Sequence, residues 1–113
     1  MGKYYKIDRI SELAEGDEGF IVALAEAFLE EVPVDAERLR VAIPAKDYKE
    51  AYQAAHKLKP TINLFELGVY DELIEVQDWG KFEQTDKDVT QQLNKLLTAI
   101  DNTIEEIKKD FNL

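Results

Sequence analysis

The apolar residues near the C-terminus leave the chain little choice of fold. Val89, Leu93, Leu96, Leu97, Ile100, Ile104, Ile107 and Phe111 step by four, three, one, three, four, three and four. That is the spacing of a helix with one buried face. A helix from Asp86 to Phe111 would be about 39 Å long at about 1.5 Å per residue. A rod of that length buries its stripe only against other long helices. No segment of the chain alternates for long enough to argue a strand, so the partners must be helical too.

Those partners are legible upstream. Ile7, Ile10 and Leu13-Ala14 suggest a short amphipathic helix that ends at Gly16. Asp17 then serves as an N-cap, its side chain accepting from the free N–H groups of the next turn. A second helix begins at about Glu18, with Ile21, Leu24, Ala25, Phe28 and Val32 inward. The apolar phase continues across Pro33 through Ala36, Leu39 and Ile43, so one long, bent arm is expected to end near Pro44. Lys46-Asp47 is the turn, and Asp47 with Glu50 fits a capping box that opens a third helix. This helix is expected to reach about Leu67, where Gly68 breaks it. Val69, Leu73, Ile74 and Val76 mark a shorter fourth helix that stops at Trp79-Gly80. A loop over Lys81 to Thr85 follows, with Thr85 and Asp88 offering a cap for the last helix.

Short loops join antiparallel neighbours. The expected architecture is therefore all-α: an up-and-down four-helix bundle with a short extra N-terminal helix, forming a single domain over residues 1–113. Phe20, Phe28, Phe65, Leu96 and Ile100 are expected in one core.

The third helix holds the only histidine. Tyr48, Ala51, Ala55, Leu58, Ile62 and Phe65 set its buried face. At about 100° per residue, Leu58 lies about 160° from His56 and Ile62 about 120° from it. The imidazole therefore points to solvent. Lys49, Tyr52, Gln53, Lys59, Pro60 and Asn63 fall within about 60° of it. Pro60 lacks the N–H that would bond the His56 carbonyl four residues back, which predicts a mild kink there.

Charge and composition narrow the chemistry. The net charge is −10, yet Lys46 to Pro60 holds four lysines against Asp47 and Glu50. The histidine thus sits on a local balance of +2, while the rest of the chain carries −12. An acidic protein is a poor match for nucleic acid or an anionic membrane. No apolar run approaches the roughly 20 residues needed to span a bilayer, and the opening six residues lack the apolar core of a secretory signal. A cytoplasmic location is expected. With no cysteine, there is no thiol chemistry and no zinc–thiolate site. The five scattered glycines build no phosphate-cradling loop, and one histidine beside lysines makes a poor metal centre. What remains is one exposed imidazole with cations at positions +1 and +3. A neutral imidazole nitrogen can attack a phosphoryl group, and Lys59 can offset the roughly two negative charges that result. Lys57 lies more to the side. One side chain with no nucleotide site, metal or base is a carrier and not an autonomous enzyme.

Ala55-His56-Lys57-Leu58-Lys59-Pro60-Thr61 resembles the His-x-Leu-Lys-Gly-Ser motif of histidine phosphotransfer (HPt) domains. Gly16-Asp17-Glu18-Gly19-Phe20-Ile21 looks like that family's Gly-Asp-x-x-Phe at the start of its second helix. Ala45-Lys46-Asp47-Tyr48 looks like the turn before its histidine helix. The resemblance implies a helical bundle that relays phosphate in multistep two-component systems. It implies His56 as phosphoacceptor and Lys59 as the phosphate's neighbour. Lys49, Tyr52, Gln53, Lys57, Pro60 and Asn63 become the expected partner-binding surface. The implied partners are receiver domains of response regulators or hybrid histidine kinases, with no cofactor in this chain and Mg²⁺ only in the receiver. The chain departs from the pattern twice. Pro60 stands where the family usually has Gly, and Glu66 replaces a later Gly, with Gly68 two positions on.

Two other readings compete. A dimerisation-phosphoacceptor fragment of a histidine kinase typically has an acidic residue right after His and Pro five residues on. Here Lys57 follows and Pro60 comes at four, so a monomer is expected. A helical adaptor with an incidental histidine is the third reading.

Overall fold

A computed structural model describes residues 4–113; the first three residues of the opening stretch lie outside the described part. The helices are α1 (Asp8–Leu13), α2 (Glu18–Ala45), α3 (Tyr48–Leu64), α4 (Tyr70–Lys81) and α5 (Thr90–Phe111). Helix α2 packs on α3 and α5, and α4 packs on α3 and α5. This ring of antiparallel neighbours is the expected up-and-down bundle, with α1 against α2.

The turn chemistry explains most boundaries. Gly16 adopts φ +77°, a left-handed conformation that costs glycine little. Asp17 then caps α2, its carboxylate accepting from Phe20 N. Helix α2 runs unbroken through Pro33 and Pro44, as the continuous apolar phase predicts. It ends at Lys46, which is left-handed with φ +56°, and Asp47 restarts the chain by accepting from Glu50 N at 3.2 Å. Only half of the expected capping box forms, because the Glu50 carboxylate is held by Arg38 instead.

Several expectations are corrected. Helix α3 ends at Leu64 instead of about Leu67, since Glu66 (φ +49°) and Gly68 (φ +78°) are both left-handed. Glu66 thus adopts, in place of glycine, a backbone conformation that L-residues rarely adopt. Helix α4 passes through Gly80 to Lys81. That glycine is a contact and not a stop: a Cβ there would lie 2.6 Å from the Tyr48 carbonyl oxygen and 2.7 Å from Tyr52 N. Helix α5 begins at Thr90 rather than Asp86, because Asp88 accepts from the Thr90 N–H and hydroxyl and Thr85 plays no part in it. Phe20 is 47% exposed. It lies about 80° around α2 from Phe28 at about 100° per residue, outside the buried stripe.

The core is otherwise as expected. Phe28, Phe65, Leu96 and Ile100 are buried with Leu39, Leu58, Ile62, Leu73 and Ile107. Fully burying such side chains contributes roughly 1.5–3 kcal/mol each before chain entropy is subtracted. The Phe28 and Phe65 rings meet at 4.7 Å. The N-terminal segment straps this end shut: Tyr5 is buried and donates to Asp110 at 2.8 Å, and Lys6 N donates to the Phe65 carbonyl at 2.9 Å. Among the described residues, no helix is long and apolar enough to cross a membrane.

Candidate functional site

Helix α3 buries Ala51, Ala54, Ala55, Leu58 and Ile62, so its registration in the bundle is fixed and the opposite face is left in water. His56 is exposed on that face. Its ring stacks on Tyr52, one turn earlier, with centroids 5.6 Å apart and planes at 25°. Tyr52 is half-buried and its backbone is pinned by Gly80. The imidazole therefore has a fixed wall on one side. No hydrogen bond from a described residue occupies its nitrogens, so both remain open to a visiting group.

The expected neighbours divide into two sets. Lys49, Gln53 and Pro60 are exposed and Lys59 is half-buried. Lys59 lies about 4.5 Å along the axis from His56 and about 60° around it, and no ion pair among the described residues restrains it. Of Lys49 and Lys59, it is the nearer to His56 along α3. Asn63 and Lys57 are already engaged. Asn63 receives two bonds from Arg9, at 3.2 Å to its carbonyl and 3.1 Å to its side-chain oxygen. Arg9 also sits 3.5 Å from Glu66, which brings α1 to the C-terminal end of the histidine face. Lys57 is turned toward α2, with Nζ 3.7 Å from Asp35.

That second contact belongs to a four-residue network which the sequence reading missed. The Asp35 side chain is only 3% exposed and meets Arg38 at 3.0 Å. Arg38 grips Glu50 through two further bonds, of 2.8 and 3.0 Å. The Glu50 bond and then Asp35 push the guanidinium above its ordinary range, and the same Arg38 bond holds Glu50 below the usual carboxylate range. One signal was available in the sequence. Asp35 sits three residues after Val32 and four before Leu39, inside the buried phase of α2. Arg9, Arg38 and Gly80 carry no comparable mark, because each acts through a residue remote in sequence.

Beside the site, an open cleft of about 420 Å³ is lined by Lys49, Tyr52, Gly80, Lys81 and Glu83. Two other clefts, of about 580 and 670 Å³, lie between α2 and the α4–α5 loop and along the outer face of α2, and His56 lines neither. Among the described residues, no group of three or more His, Cys, Asp or Glu side chains could hold a metal ion. The arrangement can offer an open nucleophilic ring to a partner large enough to cover it.

A family model described as the Hpt domain matches residues 23–109. That span contains α3 with its motif, α4 and nearly all of α2 and α5. No curated protein and no solved structure matches the chain.

Proposed function

Because this chain belongs to the Hpt domain family, whose members are phosphocarrier modules of two-component relays that interact with receiver domains, we propose that it accepts and passes on a phosphoryl group at His56. The observation that carries this reading is the exposed, unbonded imidazole, walled by Tyr52 and one turn from Lys59.

The chemistry asks little of the carrier. The lone pair of one ring nitrogen attacks the phosphorus of an aspartyl phosphate on the receiver. The P–N bond forms as the P–O bond breaks, and the leaving carboxylate takes that electron pair. The second ring nitrogen keeps its proton throughout, so no general base is needed. Such transfers depend on positioning and charge stabilisation. Tyr52 fixes the ring plane, Lys59 offsets the incoming charge, and the receiver supplies Mg²⁺. An acidic receiver site is complementary to Lys49 and Lys59, and Gln53 and Pro60 complete the exposed surface it would meet. The protein acts as a cytoplasmic carrier with no cofactor of its own.

Incubation with a phosphorylated receiver and Mg²⁺ should transfer label to wild type and not to His56→Gln. Lys59→Ala should be labelled more slowly, with unchanged helix content. Equal labelling of wild type and His56→Gln would refute the assignment.

A further inference from the structure

The residue that follows the histidine carries a positive charge, yet it is turned away from it. Lys57 is 57% exposed, yet its Nζ lies 3.7 Å from Asp35, a carboxylate 3% exposed. The charge count of the network explains why. Asp35 and Glu50 carry two negative charges. Arg38 supplies one positive charge, and it spends two of its three bonds on Glu50. A carboxylate buried with half a partner is costly, and Lys57 brings the cluster to neutrality. Lys59, on the other flank of the histidine face, has no such tether.

We propose that Asp35 is a positioning residue which holds Lys57 off the phosphoryl group on His56, so that Lys59 alone among the neighbouring lysines neutralises it. A phosphohistidine with fewer cations around it is less stabilised, and it gives up its phosphoryl group more readily. Asp35, buried on a different helix, thereby sets the transfer potential of the carrier. Removing the charge of Asp35 releases Lys57, whose stem is long enough to swing toward the new negative charge one residue away.

The inference rests on the phosphocarrier reading, so its test separates the two. Phosphoramidate, a small phosphoryl donor, labels an exposed histidine without any receiver. The lifetime of the labelled protein is then followed. In hydrolysis the P–N bond breaks, a water oxygen bonds to phosphorus, and the ring nitrogen recovers its electron pair. Asp35→Asn should lengthen that lifetime about twofold to fivefold, the range of one added exposed ion pair. The same substitution in a Lys57→Ala background should change nothing. Lys57→Ala alone should leave the lifetime as in wild type, whereas Lys59→Ala should shorten it. This arm is informative even if Asp35→Asn folds poorly. An equal effect of Asp35→Asn in both backgrounds, or a Lys57→Ala protein as short-lived as Lys59→Ala, overturns the inference. If the lifetimes behave as expected but no phosphorylated receiver labels His56, the relay reading falls and the role of Asp35 stands.

Discussion

Gly80→Ala is the most discriminating change to the scaffold beneath the histidine. A methyl group there would lie 2.6 Å from the Tyr48 carbonyl oxygen, 2.7 Å from Tyr52 N and 3.2 Å from Tyr52 Cα. Ordinary contacts of this kind begin near 3.4 Å, so the shortfall is about 0.8 Å. All three neighbours are backbone atoms of α3, and none can swing aside. The helices must separate, which loosens the Tyr48–Trp79 ring contact at 4.4 Å. Overpacking of this kind costs up to about 3 kcal/mol. Exchanging glycine for alanine inside a helix returns about 1 kcal/mol. With neighbours this rigid, the net loss should be about 1–2 kcal/mol, or about 4–10 °C in Tm for a domain of this size. Thermal unfolding followed by circular dichroism measures it. Tyr52 is displaced in the same step, so phosphotransfer to His56 should slow in the folded variant. An unchanged or raised Tm would show that α3 and α4 are not in the close contact described, and the reasoning would fail.

Three further outcomes concern the ends and turns of the bundle. Burial first, and then the bond to and charge of Asp110, push the Tyr5 hydroxyl well above its ordinary value of 10.0. The folded state holds that proton more tightly, so the contribution is complete below pH 10 and is lost as pH rises beyond it. Tyr5→Phe should therefore lower stability by about 1 kcal/mol at neutral pH, and the deficit should shrink above pH 10 in urea titrations; a constant deficit would contradict the linkage. Asp47→Ala removes the side-chain acceptor for Glu50 N and should cost about 1 kcal/mol, read as a fall of about 3–6 °C in Tm, while Thr85→Ala should leave Tm unchanged because that side chain is exposed and Asp88 holds Thr90 without it.

The sequence by itself determined most of the helices and the sidedness of the histidine. Each of these is local: a period of 3.6 residues, a cap within three positions, or a face within one turn. That is why Asp17, Asp47, the run of α2 across Pro33 and the outward turn of His56 could all be read in advance. Charge counting along the chain gives the local sum but not which charges stay unpaired, for the opposite reason. Lys57 and Glu50 were both counted in the local balance around the histidine, yet Asp35 and Arg38 take them up from another helix. Only the packing of α2 on α3 decided which lysine stays available, just as only the approach of α4 made Gly80 a contact instead of a stop. Interactions between residues remote in sequence leave no period to detect, because their partners are chosen by the close packing of helices in space.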